Sequence, residues 1–195
     1  MSIIVAVEKD GEIAIAADSL ICGADGAISR GAAQKIHQVG QTYIGHAGMF
    51  VMQNIIEDYS IKNQERLTSF TACSENEVYR FFLEFRKALL DNYGVVNENP
   101  TQNQTPFFDY QQEFIVIGKG GIFLIENNFD VEHVPGYAAG GSGGKYALGL
   151  LTGVVDEDCG LNAKELAEMA CFTAIENNCY CGGEIVSYVL PKKPA

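Results

Sequence analysis

The stretch SIIVAVEKDGEIAIAADS, residues 2–19, decides the fold. Residues 2–8 and 12–18 are apolar and in part β-branched, and Lys9-Asp10-Gly11 lies between them. That pattern reads as two strands joined by a hairpin turn.

Working outward, residues 19–34 are rich in Gly, Ala and Ser and read as a loop. A second hairpin follows, with strands over 35–39 and 42–45 and a turn at Gly40-Gln41. Residues 49–62 carry Val51, Met52, Ile55, Ile56 and Tyr59 at the spacing of a buried helix face. A second helix begins with Ser74 and Glu77 as a capping box, buries Val78, Phe81, Phe82, Phe85 and Leu89, and ends at Gly94. Residues 95–112 are polar, with two prolines, and read as a long connection. Strands resume at 113–118 and 122–126 around Lys119-Gly120-Gly121, with shorter ones at 131–134 and 137–139. A helix over 143–151 precedes another that starts at Asn162, paired with Glu165 in a capping pattern. Its apolar face is Leu166, Met169, Ala170, Thr173 and Ala174, and a last strand over 184–190 stops at Pro191.

Hairpin strands alternating with helix pairs predict an α+β fold, two stacked antiparallel sheets between two helix layers. At 195 residues the chain suits one domain, 1–195, that buries about 70% of its unfolded surface.

The net charge of −12, from 25 acidic and 13 basic residues, repels phosphate backbones and anionic lipid. Nucleic-acid and membrane partners are therefore not expected. No apolar run reaches the roughly 20 residues that span a bilayer, and no signal-peptide pattern precedes the first strand. A cytoplasmic protein is expected, with Cys22, Cys73, Cys159, Cys171, Cys179 and Cys181 reduced. Cys179-Tyr180-Cys181 is too tight for a zinc pair and His37, His46 and His133 are scattered, so neither metal nor cofactor is expected.

Ser2 carries the first chemical signal. A serine hydroxyl is a poor nucleophile until a base takes its proton. The α-amine of the same residue has a reference pKa of about 7.7–8.0, so a useful share is neutral near pH 7. Met1 is generally clipped when the next side chain is small, and Ser2 would then own both hydroxyl and base.

Four segments in order carry a resemblance. They are residues 2–7 (SIIVAV), Ala16-Ala17-Asp18-Ser19 with Gln34-Lys35-Ile36, Gly45-His46-Ala47-Gly48, and Ala139-Gly140-Gly141-Ser142-Gly143-Gly144. The chain resembles the proteasome β-subunit and HslV family of N-terminal-nucleophile (Ntn) hydrolases over nearly its whole length. The resemblance implies a four-layer αββα fold in which Ser2 stands where the family has Thr. Lys35 would be the cation that lowers the amine pKa, and Asp18 would orient it. Gly48, at a helix start, would donate its N–H to the oxyanion. Ser142 would bond near the amine, while His46 and Cys22 would line the pocket for substrate. The run Asn178-Cys179-Tyr180-Cys181-Gly182-Gly183 departs from the family's Asp-x-x-Ser-Gly-Gly, with Asn178 replacing a carboxylate and Cys181 a hydroxyl.

The resemblance further implies a self-compartmentalising endopeptidase acting on polypeptides, built as homo-oligomeric stacked rings and worked with an ATP-dependent unfoldase. Two other readings stay open on the sequence. One is a catalytically silent ring or scaffold subunit, favoured by Asn178 and Cys181; the other is an Ntn amidohydrolase acting on a small amide.

Overall fold

Asp10 and Gly11 both take positive φ, 52° and 80°, the pair a two-residue turn needs to follow the twist of its strands. They join β1 (Ile4–Lys9) to β2 (Glu12–Asp18) with Lys9 opposite Glu12. The computed structural model describes residues 2–23, 26–94, 112–126, 129–155 and 159–191. The chain continues through β3 (Leu20–Cys22), β4 (Ile28–Ala32), β5 (Ile36–Val39) and β6 (Thr42–Ala47). Three helices follow, α1 (Met52–Lys62), α2 (Gln64–Leu67) and α3 (Glu75–Asp91). Then come β7 (Glu113–Gly118), β8 (Gly121–Ile125), β9 (Val131–Val134), β10 (Tyr137–Gly140), α4 (Gly144–Val154), α5 (Ala163–Asn177) and β11 (Ile185–Pro191). The connection expected over 95–112 lies outside the described residues except for Gln112.

One antiparallel sheet has the order β10-β1-β2-β11 and the other β5-β6-β7-β8-β9. The αββα arrangement expected from the sequence is present, and its side chains sort by strand alternation. Ile4, Ala6, Ile13, Ile15 and Ala17 from the first sheet meet Ile115, Ile117 and Ile122 from the second. On the outer face of the first sheet, Val5, Val7, Ala14 and Ala16 pack on Ala147, Ala163, Ala167, Ala170 and Ala174 of α4 and α5. On the outer face of the second, Phe114, Phe123 and Ile44 pack on Phe81, Phe82, Phe85 and Tyr59 of α3 and α1. One helix layer thus approaches its sheet closely on alanines, and the other stands off on aromatic rings.

Several expectations need correction. The segment read as a loop over 19–34 contains the two-stranded β3–β4 hairpin, too short and too exposed to show an apolar period; Ile28 is 65% exposed. Helix α1 starts at Met52 rather than at residue 49. Met49, Phe50 and Val51 are apolar but exposed, and the Met52 N–H bonds back to the Met49 carbonyl in a turn. Gly48 therefore stands four residues ahead of the helix and not at its start. The short α2 had no sequence signal beyond the buried Leu67. At α3, Ser74 accepts from the Glu77 N–H, but the Glu77 carboxylate takes the Thr71 and Cys73 N–H groups instead of closing the box on Ser74. The box at Asn162 and Glu165 is complete. The centre of the α5 face is Ala167, Ala170 and Cys171, with Met169 and Thr173 at its edge. No helix among the described residues is long and apolar enough to cross a membrane.

Candidate active site

Antiparallel pairing brings the start of β1 beside the end of β2, so residues 2 and 3 lie against Asp18. The Ile3 N–H donates to Asp18 Oδ1 at 3.0 Å, and the Asp18 N–H donates to the Ile3 carbonyl at 3.3 Å. Lys35, which leads into β5, donates from Nζ to the same Oδ1 at 2.7 Å. The other oxygen, Oδ2, accepts the Gly182 N–H at 3.0 Å. Both side chains of the ion pair are buried, at 4% and 0% exposure. A buried carboxylate is tolerable when its lone pairs are met, and this one takes three donors.

The glycine-rich run folds over Ser2. The Gly143 N–H donates to the Ser2 carbonyl at 3.2 Å, and Ser142 Oγ donates to it at 3.4 Å. Gly141 has φ +87°, and a Cβ there would lie 2.3 Å from the Ser2 oxygen. A Cβ on Gly143 would meet Ala174 and Cys181 at 2.9 Å. These two glycines are what let the loop close on the strand. Glu113, which the sequence reading did not single out, accepts the Gly141 N–H at 2.7 Å. Its one signal is a carboxylate opening the otherwise apolar run of β7.

Asn178 and Cys181 stand beside the same loop. Asn178 Oδ1 accepts the Tyr180 N–H at 3.0 Å, which leaves Nδ2 to donate to the Ser142 carbonyl at 2.6 Å. An ionised carboxylate could not make that bond, so the amide has a task of its own here. Cys181 Sγ lies 3.9 Å from Ser142 Oγ. Burial, with Asp18 adding, pushes the Cys181 thiol up to about 11, so it stays protonated.

Ser2 itself is 4% exposed and borders a cavity of about 60 Å³. Lys35, His46, Gly48, Cys22 and Phe50 share its wall. Gly48 comes to this wall from the end of β6. Alternate N–H groups along a strand point to alternate sides, and the His46 N–H bonds the Lys35 carbonyl, at the head of β5. The residues singled out in the sequence thus come together, Cys22, His46 and Gly48 on the cavity and Asp18, Ser142, Asn178 and Cys181 behind Ser2.

No protein-family model and no curated protein matches the sequence. Solved structures do. BPH from Thiobacillus denitrificans aligns over 99% of this chain and 100% of its own, with TM-score 0.82 at 24% identity. The same protein in complex with epoxomicin gives TM-score 0.79 at 24% identity, over 98% and 100% of the two chains. HslV from Trypanosoma brucei gives 0.71 at 19% identity, over 97% and 99%. The chain has the HslV fold.

Within that HslV fold, His46 lines the cavity and stacks on the buried His37, with ring centroids 5.5 Å apart. Burial pushes His46 down to about 3, with His37 and Lys35 adding, and burial pushes His37 down to about 4. Both rings are neutral near pH 7. Unfolding returns each to a value near 6.5, so the unfolded chain binds more protons below that pH. Their contribution is complete above about pH 6.5 and is lost as pH falls toward 4 and then 3.

Two outcomes are expected. Asp18→Ala leaves the Lys35 ammonium buried without a partner and should cost about 3–5 kcal/mol of unfolding free energy in urea titrations; an unchanged midpoint would contradict the buried pair. Below pH 6 the unfolding free energy should fall by about 1.4 kcal/mol per pH unit for each buried histidine. A variant carrying both His37→Gln and His46→Gln should show a flatter profile, and equal slopes in the two proteins would rule the histidines out as the cause.

Proposed function

We propose that this chain is the peptidase subunit of a proteasome-type assembly, with Ser2 Oγ as the nucleophile once hydrolysis of the Met1–Ser2 bond has freed the Ser2 amine. One observation carries the reading. Ser2 is buried, borders a cavity with Lys35 and Gly48, and has its carbonyl held by Gly143 and Ser142.

The neutral amine of Ser2 takes the proton from Oγ, directly or through a water, as Oγ attacks the carbonyl carbon of a bound peptide bond. The positive charge of Lys35 keeps the neighbouring amine in its neutral, basic form. Charge collects on the carbonyl oxygen, and the Gly48 N–H stabilises it. The C–N bond then breaks, the proton passes from the amine to the departing nitrogen, and an ester remains on Oγ. Water attacks this ester and gives its proton to the amine, which passes it to Oγ as the C–Oγ bond breaks and the acid leaves. Ser142, Asn178, Cys181 and Glu113 position the loop that fixes the Ser2 backbone and do not touch the reacting atoms. His46 and Cys22 line the pocket for the substrate side chain.

In this reading the chain works in the cytoplasm as stacked homo-oligomeric rings around a chamber, supplied with polypeptide by an ATP-dependent unfoldase. The shared fold with HslV supports the rings, and the six free thiols among the described residues support a reducing compartment. Enclosure would keep a broadly active hydrolase from its neighbours.

The test is kinetic and structural together. Ser2→Ala should lower peptide hydrolysis at least about a thousandfold while leaving circular dichroism and assembly unchanged, and Ser2→Thr should keep turnover. A Ser2→Ala protein that still cleaves peptides would remove Ser2 from the role.

A further inference from the structure

Asn178 and Ser2 take opposite ends of one peptide unit, the bond between Ser142 and Gly143. The Ser142 carbonyl accepts from Asn178 Nδ2 at 2.6 Å, and the Gly143 N–H donates to the Ser2 carbonyl at 3.2 Å. In a trans peptide the C=O and N–H point in opposite directions and turn together, because the unit is planar. Fixing the carbonyl therefore fixes the N–H. An amide whose carbonyl accepts a bond is also a stronger donor through its N–H.

That orientation needs something to hold it. Gly141, Gly143 and Gly144 surround the unit, and glycine takes positive and negative φ with equal ease. Gly143 stands at φ −86°. Turning the unit over carries Gly143 to positive φ and sets the Ser142 oxygen against the Ser2 oxygen. Asn178 is itself well held. It is the C-cap of α5, and its Oδ1 takes the Tyr180 N–H at 3.0 Å. The NH2 end cannot accept that bond, so Nδ2 is the atom that faces Ser142. The chain beyond runs to Gly182, whose N–H meets Asp18.

On the reading that Ser2 is the nucleophile, we infer that Asn178 is a positioning residue whose amide latches the Ser142–Gly143 peptide, so that the Gly143 N–H faces the Ser2 carbonyl and holds the backbone of the nucleophile in place. The latch needs a donor without negative charge. A carboxylate of the same shape keeps the bond from the Tyr180 N–H but sets its charge against the Ser142 carbonyl. It also favours the turned-over peptide, whose N–H would face it.

Two substitutions separate this latch from an amide that serves only shape. Asn178→Asp keeps the shape and reverses the electrostatics. Asn178→Ala removes the donor and leaves the carbonyl of the exposed Ser142 to water. In peptide hydrolysis kcat should fall about two- to tenfold in Asn178→Ala and by about tenfold or more in Asn178→Asp, with KM unchanged in both. An Asn178→Asp protein at least as active as Asn178→Ala, or a loss carried by KM, would overturn the inference. A second readout needs no turnover. Ser142–Gly143 is the one Ser-Gly bond in the chain, so protein made by cell-free synthesis with carbonyl-¹³C serine and ¹⁵N glycine gives a single correlation from this peptide. Asn178→Asp should move its carbonyl ¹³C and its amide ¹H together. A correlation that moves in neither, or in the ¹³C alone, would overturn the latch. If the native protein cleaves no peptide, the hydrolase reading fails, and this correlation alone decides the latch.

Discussion

Everything around the candidate site hangs on the side chain of Asp18. Its two oxygens take the Ile3 N–H, the Lys35 ammonium and the Gly182 N–H, so one buried carboxylate ties the head of β1, the approach to β5 and the approach to β11. A buried charge repays its desolvation only with partners at good geometry, and losing any one of them exposes the rest to the full cost. The same demand that makes the group risky for stability makes it a strict positioning device. It fixes the backbone next to Ser2 and the cation beside the cavity in one stroke.

The two helix layers share the remaining work unequally. The α4–α5 side is lined with alanines, which lets Gly143 pass within contact of Ala174 and Cys181 and brings the loop down onto the Ser2 carbonyl. The α1–α3 side is filled with phenylalanine rings and carries no group of the candidate site except the edge of the cavity at Phe50. Bulk on one side supplies apolar burial, and smallness on the other supplies close approach. Gly45 repeats the second strategy between the sheets, where a Cβ would lie 3.0 Å from Ile15.

Much of this was legible in the residues because it rests on period and punctuation. The runs over 2–8 and 12–18, the Asp10-Gly11 turn and the caps at Ser74 and Asn162 each announce a local conformation that the tertiary structure keeps. What stayed hidden depends on contacts made at a distance. The helix read over 49–62 starts only at Met52, and Val51, counted in its buried face, lies exposed with Met49 and Phe50 just after Gly48 at φ +140°. Glu113 reads as an ordinary strand-edge charge until the Gly141 N–H is found beside it. Asn178 reads as the loss of a carboxylate, whereas its amide bonds the Ser142 carbonyl in a way a carboxylate could not. The stacking of His37 on His46 is a diagonal pairing across β5 and β6, visible only once their register is known.

The proposed reacting atom is the Ser2 hydroxyl, beside its own free amine. Treating the purified assembly with a peptidyl β-lactone, which acylates a nucleophilic hydroxyl by ring opening, and mapping the adduct by tandem mass spectrometry tests it most directly. The acyl group is expected on Ser2, and only in chains whose mass lacks Met1. An adduct on another residue, an adduct on chains that retain Met1, or no adduct on Met1-free chains would contradict it.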